Sequence, residues 1–399
     1  MAKIASAAGD MFLNIFATLV PMAALQLVIL PLVARDMPED AYGVALATIA
    51  LLGLVPLTVG NVINNVRLLR DDEYERGGEH GDFSLIVAVA CALCAVAVSV
   101  GSYAVGVTSL LELVAIAITS MLMLAREYLV VEYRLRLSYR GIFFANLWQT
   151  LGQFIGLVVF FVSGSWVPVY AIGYLASDLY LLRTTSIWNE PLRTTSRLKS
   201  VLGDVASLGL ANILNKLTNY ADRLVLIPLA GAASVSVYYV ACLFGKVLSL
   251  IVSPINNVLL SYLAKENHAT RKGFYIALAS GGALCAVGYA VTMLLSRPLI
   301  SFLYPQYVDV AMAFVPVGTA AAYVMVLSNV ANPFVMRFCD LRWQITLNAT
   351  YCAAFFLGSI AGYFIGGLFG FCFGVLAANC VRLVLVVTVY LTKSKALGA

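Results

Sequence analysis

Long apolar segments separated by short polar ones are the dominant pattern along this 399-residue chain. A helix needs roughly 20 mostly apolar residues to cross the hydrocarbon core of a bilayer. Inside the bilayer a single segment satisfies its backbone hydrogen bonds only as a helix. These criteria predict an all-α, polytopic membrane protein with about twelve spans, near residues 11–34, 42–66, 84–105, 108–131, 142–163, 166–187, 204–229, 234–263, 274–296, 308–336, 343–365 and 369–392.

The connections between the predicted spans differ in charge. The even-numbered connections and both termini carry nearly all of the loop lysines and arginines, and only Arg35 and Arg297 fall in odd-numbered connections. Basic loops remain in the cytoplasm, so we expect an even number of spans and two cytoplasmic termini in a bacterial inner membrane. The acid-rich connection 67–83 is interpreted as a solvated cytoplasmic loop.

Composition agrees with the hydropathy pattern and argues against several function classes. Hydrophobic residues make up 62% of the chain and charged residues 11%, against about 25% charged in typical soluble domains. The eight cysteines lie in or beside apolar segments and the two histidines in polar loops, so no metal site and no cofactor are expected. The sequence has no P-loop motif for a nucleotide, and no nucleic-acid partner is expected.

The chain resembles itself across the connection that follows the sixth span. Leu27–Leu32 matches Leu224–Leu229, and Ala41–Ala45 matches Val237–Ala241. Repeats of this kind are common in transporters, which bind substrate between the repeats. A chance similarity between apolar segments is the alternative.

The repeat predicts two six-helix lobes related by a pseudo-twofold axis along the membrane normal. The first lobe would comprise residues 1–187 and the second 204–399. Residues 188–203 would form a cytoplasmic linker between them.

The predicted span 7 carries a continuous polar stripe. Its members are spaced as neighbours on one face of an α-helix, and they are Asn212, Asn215, Lys216, Asn219, Asp222 and Arg223. Lys216 lies roughly 18 Å from either end of the span at about 1.5 Å per residue, too far for its amine to reach an interface. A cation facing lipid there costs about 2.5–3.5 kcal/mol, so the stripe is predicted to line a hydrated cavity. Helix packing through polar side chains is the alternative.

The predicted span 8 repeats this arrangement. Lys246 lies near its middle, on the same face as Asn256 and Asn257. In the two spans together three cations stand against one acid, Asp222. An anion such as pyrophosphate is the natural complement of this excess.

The first half of the chain has fewer polar residues within its spans. Asn14 in span 1 and Asn61 in span 2 are predicted to line the cavity. Arg126 in span 4 is a further candidate for substrate binding. A position near the cytoplasmic headgroups would give Arg126 a purely structural role instead.

Two carboxylates are candidates for binding a coupling ion, either H⁺ or Na⁺. They are Asp222 and Glu112, the latter near the outer end of span 4. Asp178 in span 6 and Arg382 in span 12 are isolated in the sequence, and pairing with a neighbouring helix is expected for both.

Several segments resemble the polysaccharide exporters of the multidrug/oligosaccharidyl-lipid/polysaccharide superfamily. A first span ending in Pro31–Arg35 is followed by an acidic turn and Ala41–Ala45, as at the start of those proteins. Asp222–Leu229 with Val237–Ala241 resembles the beginning of their second half, and Pro298–Tyr307 resembles their turn before span 10. The resemblance covers nearly the whole chain.

The resemblance implies a flippase that moves a polyprenyl-pyrophosphate-linked oligosaccharide between leaflets by alternating access, driven by an ion gradient and without enzymatic activity. Such proteins are similar in having a cationic cavity, which Lys216, Arg223 and Lys246 would supply. The first lobe lacks a comparable cation cluster. Membrane lipids and other polysaccharide-assembly proteins are the expected partners. A multidrug–cation antiporter of the same superfamily, and a membrane-embedded glycosyltransferase or polymerase, are the alternatives.

Overall fold

The structure is a computed structural model that describes residues 19–77, 81–136, 138–263 and 271–394. These residues are helical almost throughout and contain no strand. The helices α1 to α10 are Leu19–Asp36, Glu39–Leu54 continued by Pro56–Gly77 (together α2), Asp82–Ala104, Leu110–Leu129, Tyr139–Ser163, Val167–Thr184, Leu198–Ala230, Ala232–Leu263, Arg271–Leu303 and Val315–Phe338. The last segment, Leu341–Lys393, contains α11 and α12.

The break between α11 and α12 lies at a pair of glycines. Gly366 and Gly367 have non-helical backbone angles inside Leu341–Lys393, and Gly367 has a φ of 57°. A side chain is disfavoured at positive φ, whereas glycine adopts it readily. The predicted ends of the two spans at 365 and 369 therefore agree with the structure.

Several predicted boundaries differ from the structure. Helix α7 begins at Leu198 instead of residue 204, and α9 ends at Leu303 instead of residue 296. Two further differences concern polar or proline-containing sequence. Helix α2 continues to Gly77, so most of the predicted loop 67–83 is helical. Helix α10 begins at Val315 instead of residue 308, because a 3₁₀ turn and a four-residue helix occupy Pro305–Ala311. In the first case a polar stretch was predicted as loop and is helical. In the second case a stretch after a proline was predicted as part of the span and precedes the helix.

The surface of the molecule is apolar along its helices. Eight helical segments of the described chain are long and apolar enough to cross a membrane, and one of them, Arg342–Lys393, contains both α11 and α12. Large side chains such as Leu111, Val162 and Ile365 are more than four-fifths exposed. Soluble proteins rarely expose apolar side chains so extensively, so this surface is suited to lipid.

The chain divides into two compact units, Met1–Leu224 and Val225–Ala399. The first 27 residues of α7 (Leu198–Leu224) thus pack with the first unit. The predicted assignment of all of span 7 to the second lobe, with 188–203 as an independent linker, stays a prediction.

The same kind of helix pair occurs in both units. In the first, α5 and α6 approach so closely that a Cβ at Gly152 would lie 2.6 Å from the carbonyl oxygen of Ile172. In the second, Gly362 of α11 meets Gly370 of α12 backbone to backbone. Small residues allow such close approach between membrane helices. Each pair is therefore a tightly packed hairpin.

The segment after α6 is fixed to the first unit by buried carboxylates. Asp82, at the start of α3, is buried and accepts hydrogen bonds from the Thr195 amide and the Tyr74 hydroxyl, both at 2.7 Å. Glu132 accepts bonds from the amides of Ser186 and Ile187 at 2.7 and 2.9 Å. Both carboxylates thereby satisfy backbone donors of a loop that has few bonds of its own.

Two ion pairs from α2 complete this attachment. Arg67 Nη2 lies 2.7 Å from Glu190 Oε1, and Arg70 Nη2 lies 2.6 Å from Asp204 Oδ2. Only 4% of Arg67 is exposed, and its guanidinium lies 5.0 Å from the centre of the Phe83 ring. We call Arg67, Arg70, Asp82 and Glu132 the linker clasp, because together they hold residues 186–204.

Replacing Asp82 with alanine is expected to loosen the linker. The change leaves the Thr195 amide and the Tyr74 hydroxyl without an acceptor, which costs about 1–3 kcal/mol. Tryptic cleavage after Arg193 or Arg197 should therefore accelerate roughly tenfold, since about 1.4 kcal/mol corresponds to a factor of ten. Fragment masses from limited proteolysis of the purified protein provide the measurement.

Asp36→Ala is the matched control for this experiment, because Asp36 is an exposed carboxylate of the same unit. Equal cleavage rates for the Asp82→Ala and Asp36→Ala variants would contradict the proposed role of the clasp.

Candidate functional site

The polar stripe of α7 is only partly enclosed. Asn219 is exposed, and Asn212, Lys216 and Arg223 are half-buried, whereas only 4% of Asp222 is accessible. No acidic side chain lies within 4.0 Å of Lys216 in the described part of the chain. The side chain of Asn215 lies outside the described residues. The accessible part of the stripe is thus cationic and amide-rich, and its acid is buried.

Helix α7 contacts α2 through the side chain of Tyr220. A Cβ at Gly53 would lie 2.6 Å from ring atoms of Tyr220, so the tyrosine ring rests directly on the α2 backbone. On the same turn Asp222 Oδ1 accepts a hydrogen bond from the amide of Arg223 at 2.9 Å. More than two turns earlier, at the start of the stripe, the Asn212 side chain donates to the carbonyl of Leu208 at 3.0 Å. The contact at Tyr220 therefore turns this side of α7 toward α2.

Lys246 of α8 belongs to the second unit. It is half-buried, and its ammonium lies 5.8 Å from the centre of the Tyr238 ring, within the range of a cation–π interaction. Tyr238 in turn packs edge-on against Phe371 of α12 at 5.4 Å. The side chains of Asn256 and Asn257 lie outside the described residues. That Lys246 shares one cavity with the α7 cations stays a prediction.

The first unit contains a buried polar cluster that the sequence alone does not predict. The guanidinium of Arg126 in α4 donates to the carboxylate of Glu127 and to the side-chain oxygen of Asn146 in α5. Arg126 and Glu127 are also the charged groups that act on Asp178 in α6. We call these four residues the Arg126 cluster. One cation and two acids give it a formal charge of −1.

Asp178 is the least satisfied member of the Arg126 cluster. It is 3% exposed, and neither of its carboxylate oxygens accepts a hydrogen bond from a described residue. Buried charges are normally paired and hydrogen-bonded, because desolvation is costly otherwise. A buried carboxylate with unused oxygens is therefore suited to bind a proton or a small cation. The expected pairing of Asp178 with a neighbouring helix is not seen among the described residues.

A chain of hydrogen bonds leads from the Arg126 cluster towards one end of α2. Arg134 donates to the side-chain oxygens of Asn64 and Asn65 at 2.6 and 3.0 Å. Asn64 then donates to the backbone carbonyl of Glu127 at 2.6 Å, and Asn65 donates to Asn61 at 3.1 Å. Asn61 is half-buried. The predicted cavity residue thus belongs to a polar network that reaches the cluster.

Glu112 is separated from this network. It lies in the first turn of α4, where its amide donates to Ser109 Oγ at 3.4 Å. Fourteen residues separate it from Arg126, which corresponds to roughly 21 Å along a helix. The structure therefore does not bring Glu112 together with Arg126, although both lie on α4. Asn14 lies outside the described residues.

Arg382 forms a second buried polar group, in the second unit. It is 6% exposed, with Nη1 3.2 Å from the sulfur of Met325 and its Cζ 4.9 Å from the Tyr351 ring centre. The Tyr351 hydroxyl donates to Asn379 at 2.8 Å, and Asn379 donates to the carbonyl of Ala321 at 2.7 Å. The described residues place no acidic side chain within 4.0 Å of Arg382. Arg382 is thus embedded among three helices and is not isolated.

A weak sequence signal existed for these buried groups. Leu175–Asp178 of α6 and Leu376–Asn379 of α12 share the pattern Leu-Ala-small-Asp/Asn, so Asp178 and Asn379 occupy matching places in the repeat. No comparable signal existed for Glu127. Adjacent residues point to different sides of a helix, so periodicity separates Glu127 from Arg126.

Neither a protein-family model nor a curated protein matches the sequence. Solved structures do match. An inward-facing multidrug resistance MATE family transporter of the MOP superfamily has a TM-score of 0.66 at 13% identity, covering 95% of this chain and 96% of that one. The lipid II flippase MurJ in an inward closed conformation has a TM-score of 0.72 at 12% identity, covering 97% and 86%.

The MATE transporter VcmN of Vibrio cholerae in its bent form has a TM-score of 0.55 at 16% identity, with 98% of both chains covered. These likenesses confirm the predicted fold class, an all-α polytopic membrane protein of twelve helices in two lobes. The chain thus shares its fold with proteins that are, by their names, multidrug resistance transporters and a lipid II flippase.

Proposed function

We propose that this protein flips a polyprenyl-pyrophosphate-linked oligosaccharide from the cytoplasmic to the periplasmic leaflet of a bacterial inner membrane. The flipping would proceed by alternating access and without any enzymatic step. Two independent observations support the proposal. The fold is one found in a lipid flippase, and the accessible side of α7, which the sequence predicts to span the membrane, carries cations and amides.

The observation that carries the proposal is the accessibility of Lys216. A lysine in the middle of a bilayer-spanning helix needs water or an anion, and no described carboxylate lies within 4.0 Å of this one. A diphosphate supplies charge and several acceptor oxygens, which suit the ammonium of Lys216 and the guanidinium of Arg223. Asn212 and Asn219 present amides that suit the hydroxyl groups of sugars.

In this mechanism the charged head group and the sugars enter a hydrated cavity, while the polyprenyl tail remains in lipid. The cations compensate the diphosphate as it leaves water, which lowers the barrier to crossing. Lys246 and Arg126 are further proposed ligands, although Arg126 already serves Glu127 and Asn146. Other proteins of polysaccharide assembly are the proposed partners.

An ion gradient is the proposed energy source, with H⁺ or Na⁺ as the coupling ion. Among the carboxylates, Asp178 has the strongest geometric support, since it is buried and both of its oxygens are unused. Ion binding at Asp178 changes the net charge of the Arg126 cluster. It thereby changes the strength of the hydrogen bonds from Arg126 to Glu127 and Asn146. Asp222, which is also buried, and Glu112 remain alternative coupling groups.

A multidrug–cation antiporter is the second candidate function. The fold likeness to MATE transporters favours it, and so does the formal charge of −1 of the Arg126 cluster. Under this alternative, a cationic cargo would be attracted to the acids of the first unit. The two candidate functions differ in the sign of the charge on the transported molecule, so one transport assay with an anionic and a cationic cargo distinguishes them.

Replacing Lys216 or Arg223 with alanine is expected to reduce flipping at least tenfold, because each change removes a positive charge from the diphosphate site. The assay uses proteoliposomes containing a fluorescent polyprenyl-pyrophosphate oligosaccharide and measures its transfer between leaflets. Lys272→Ala, at an exposed lysine of α9, is the matched control. Unchanged flipping in both α7 variants, or transport of a cationic dye by the wild type instead, would refute the proposal.

Asp178→Asn is expected to uncouple transport from the ion gradient. The amide keeps the size of the side chain but cannot change its charge, so transport should no longer respond to an imposed pH or sodium gradient. Asp309→Asn, at an exposed acid outside the Arg126 cluster, serves as control. A gradient-driven rate equal to that of the wild type would exclude Asp178 and return attention to Asp222 and Glu112.

A further inference from the structure

We propose that the segment following α6 is a docking surface for the anionic headgroups of membrane phospholipids. Its exposed side consists of two apolar and three cationic side chains, which we call the linker surface: Arg183, Trp188, Leu192, Arg193 and Lys199. The proposal concerns lipids that surround the protein. It is independent of what the protein transports.

The position of the segment in the chain places it at a membrane surface. Helix α6 ends at Thr184, and the chain then makes a 3₁₀ turn over Ile187–Asn189 before α7 begins at Leu198. A stretch this close to the end of a spanning helix lies at headgroup level. Trp188 is 52% exposed and Leu192 67% exposed there. Tryptophan is enriched at this depth because its ring is both apolar and polar.

The charges of the segment are sorted between its two sides. Its acid, Glu190, is directed to Arg67, with a distance of 2.7 Å between Oε1 and Nη2. The neighbouring carboxylates Asp82 and Glu132 are used by backbone and hydroxyl donors of the segment. The carboxylates of Glu190, Asp82 and Glu132 are therefore directed inward and compensated. They do not offset the cations on the outer side.

The cations of the linker surface face outward. Arg183, Arg193 and Lys199 are exposed, and none of them forms an ion pair with a described residue. Clustered basic side chains beside a spanning helix attract anionic lipids, by about 1 kcal/mol, or roughly fivefold, for each charge. The combination with Trp188 and Leu192 favours a lipid surface over a purely polar ligand, because the apolar groups gain by entering the headgroup region.

The linker clasp makes this surface preorganised. A loop of this length would otherwise lose conformational entropy on binding, but its amides at Ser186, Ile187 and Thr195 are already fixed by Glu132 and Asp82. The inner side of the segment thus binds to the rest of the protein, and the outer side is held in one conformation. This geometry points to binding of lipid headgroups without rearrangement.

The test uses a full-length variant in which Trp188 is the sole tryptophan (Trp148→Phe, Trp166→Phe, Trp343→Phe). The variant is reconstituted into mixed phosphatidylcholine and phosphatidylglycerol vesicles in which one lipid carries brominated chains. Trp188 fluorescence should be quenched at least twofold more by brominated phosphatidylglycerol than by brominated phosphatidylcholine at equal mole fraction. Adding Arg183→Gln, Arg193→Gln and Lys199→Gln should abolish this preference.

Arg140→Gln is the matched control, since Arg140 is an exposed cation beside another helix end of the same unit; it should leave the preference unchanged. If the sole-tryptophan variant does not fold, phosphatidylglycerol retained by the purified wild type and by the triple glutamine variant is compared by mass spectrometry. Equal quenching by the two lipids, no quenching by either, or equal retention by wild type and triple variant would overturn the proposal.

Discussion

A polar group inside a bilayer must find its partner within the protein or in water held by the protein, and this constraint sorts the polar residues of the chain. Arg126 donates hydrogen bonds to Glu127 and Asn146 through its two terminal nitrogens. Arg382 is enclosed by Met325 and Tyr351. The polar side chains of the α7 stripe instead depend on water, since much of the stripe stays accessible. The distinction between enclosed and accessible polar groups supplies the main physical support for a transport function.

The fold was predictable because each membrane span can be identified from the hydropathy of one continuous segment. Twelve spans and the break near Gly366 follow from local sequence, as does the stripe of α7 from its helical spacing. The Arg126 cluster was not predictable, because Asn146 and Asp178 come from two further helices and Glu127 lies off the face of Arg126 on α4. The linker clasp was missed for a related reason. Acids in a polar stretch were interpreted as solvated, whereas Asp82 is buried against a segment more than a hundred residues later in the chain.

The two units solve the burial of an arginine differently. In the first, Arg126 has a carboxylate beside it and a second, Asp178, within its electrostatic reach. In the second, the described surroundings of Arg382 consist of a thioether, an aromatic ring and an amide network. The matching sequence positions Asp178 and Asn379 thus hold an acid in the first unit and an amide in the second.

The glycine contacts between α5 and α6, and between α11 and α12, have a mechanical consequence. Where Gly362 and Gly370 touch through their backbones, two helices cannot slide or twist past each other without a steric collision. Each hairpin must therefore move as one rigid unit, so any bending of the protein has to take place in other helices.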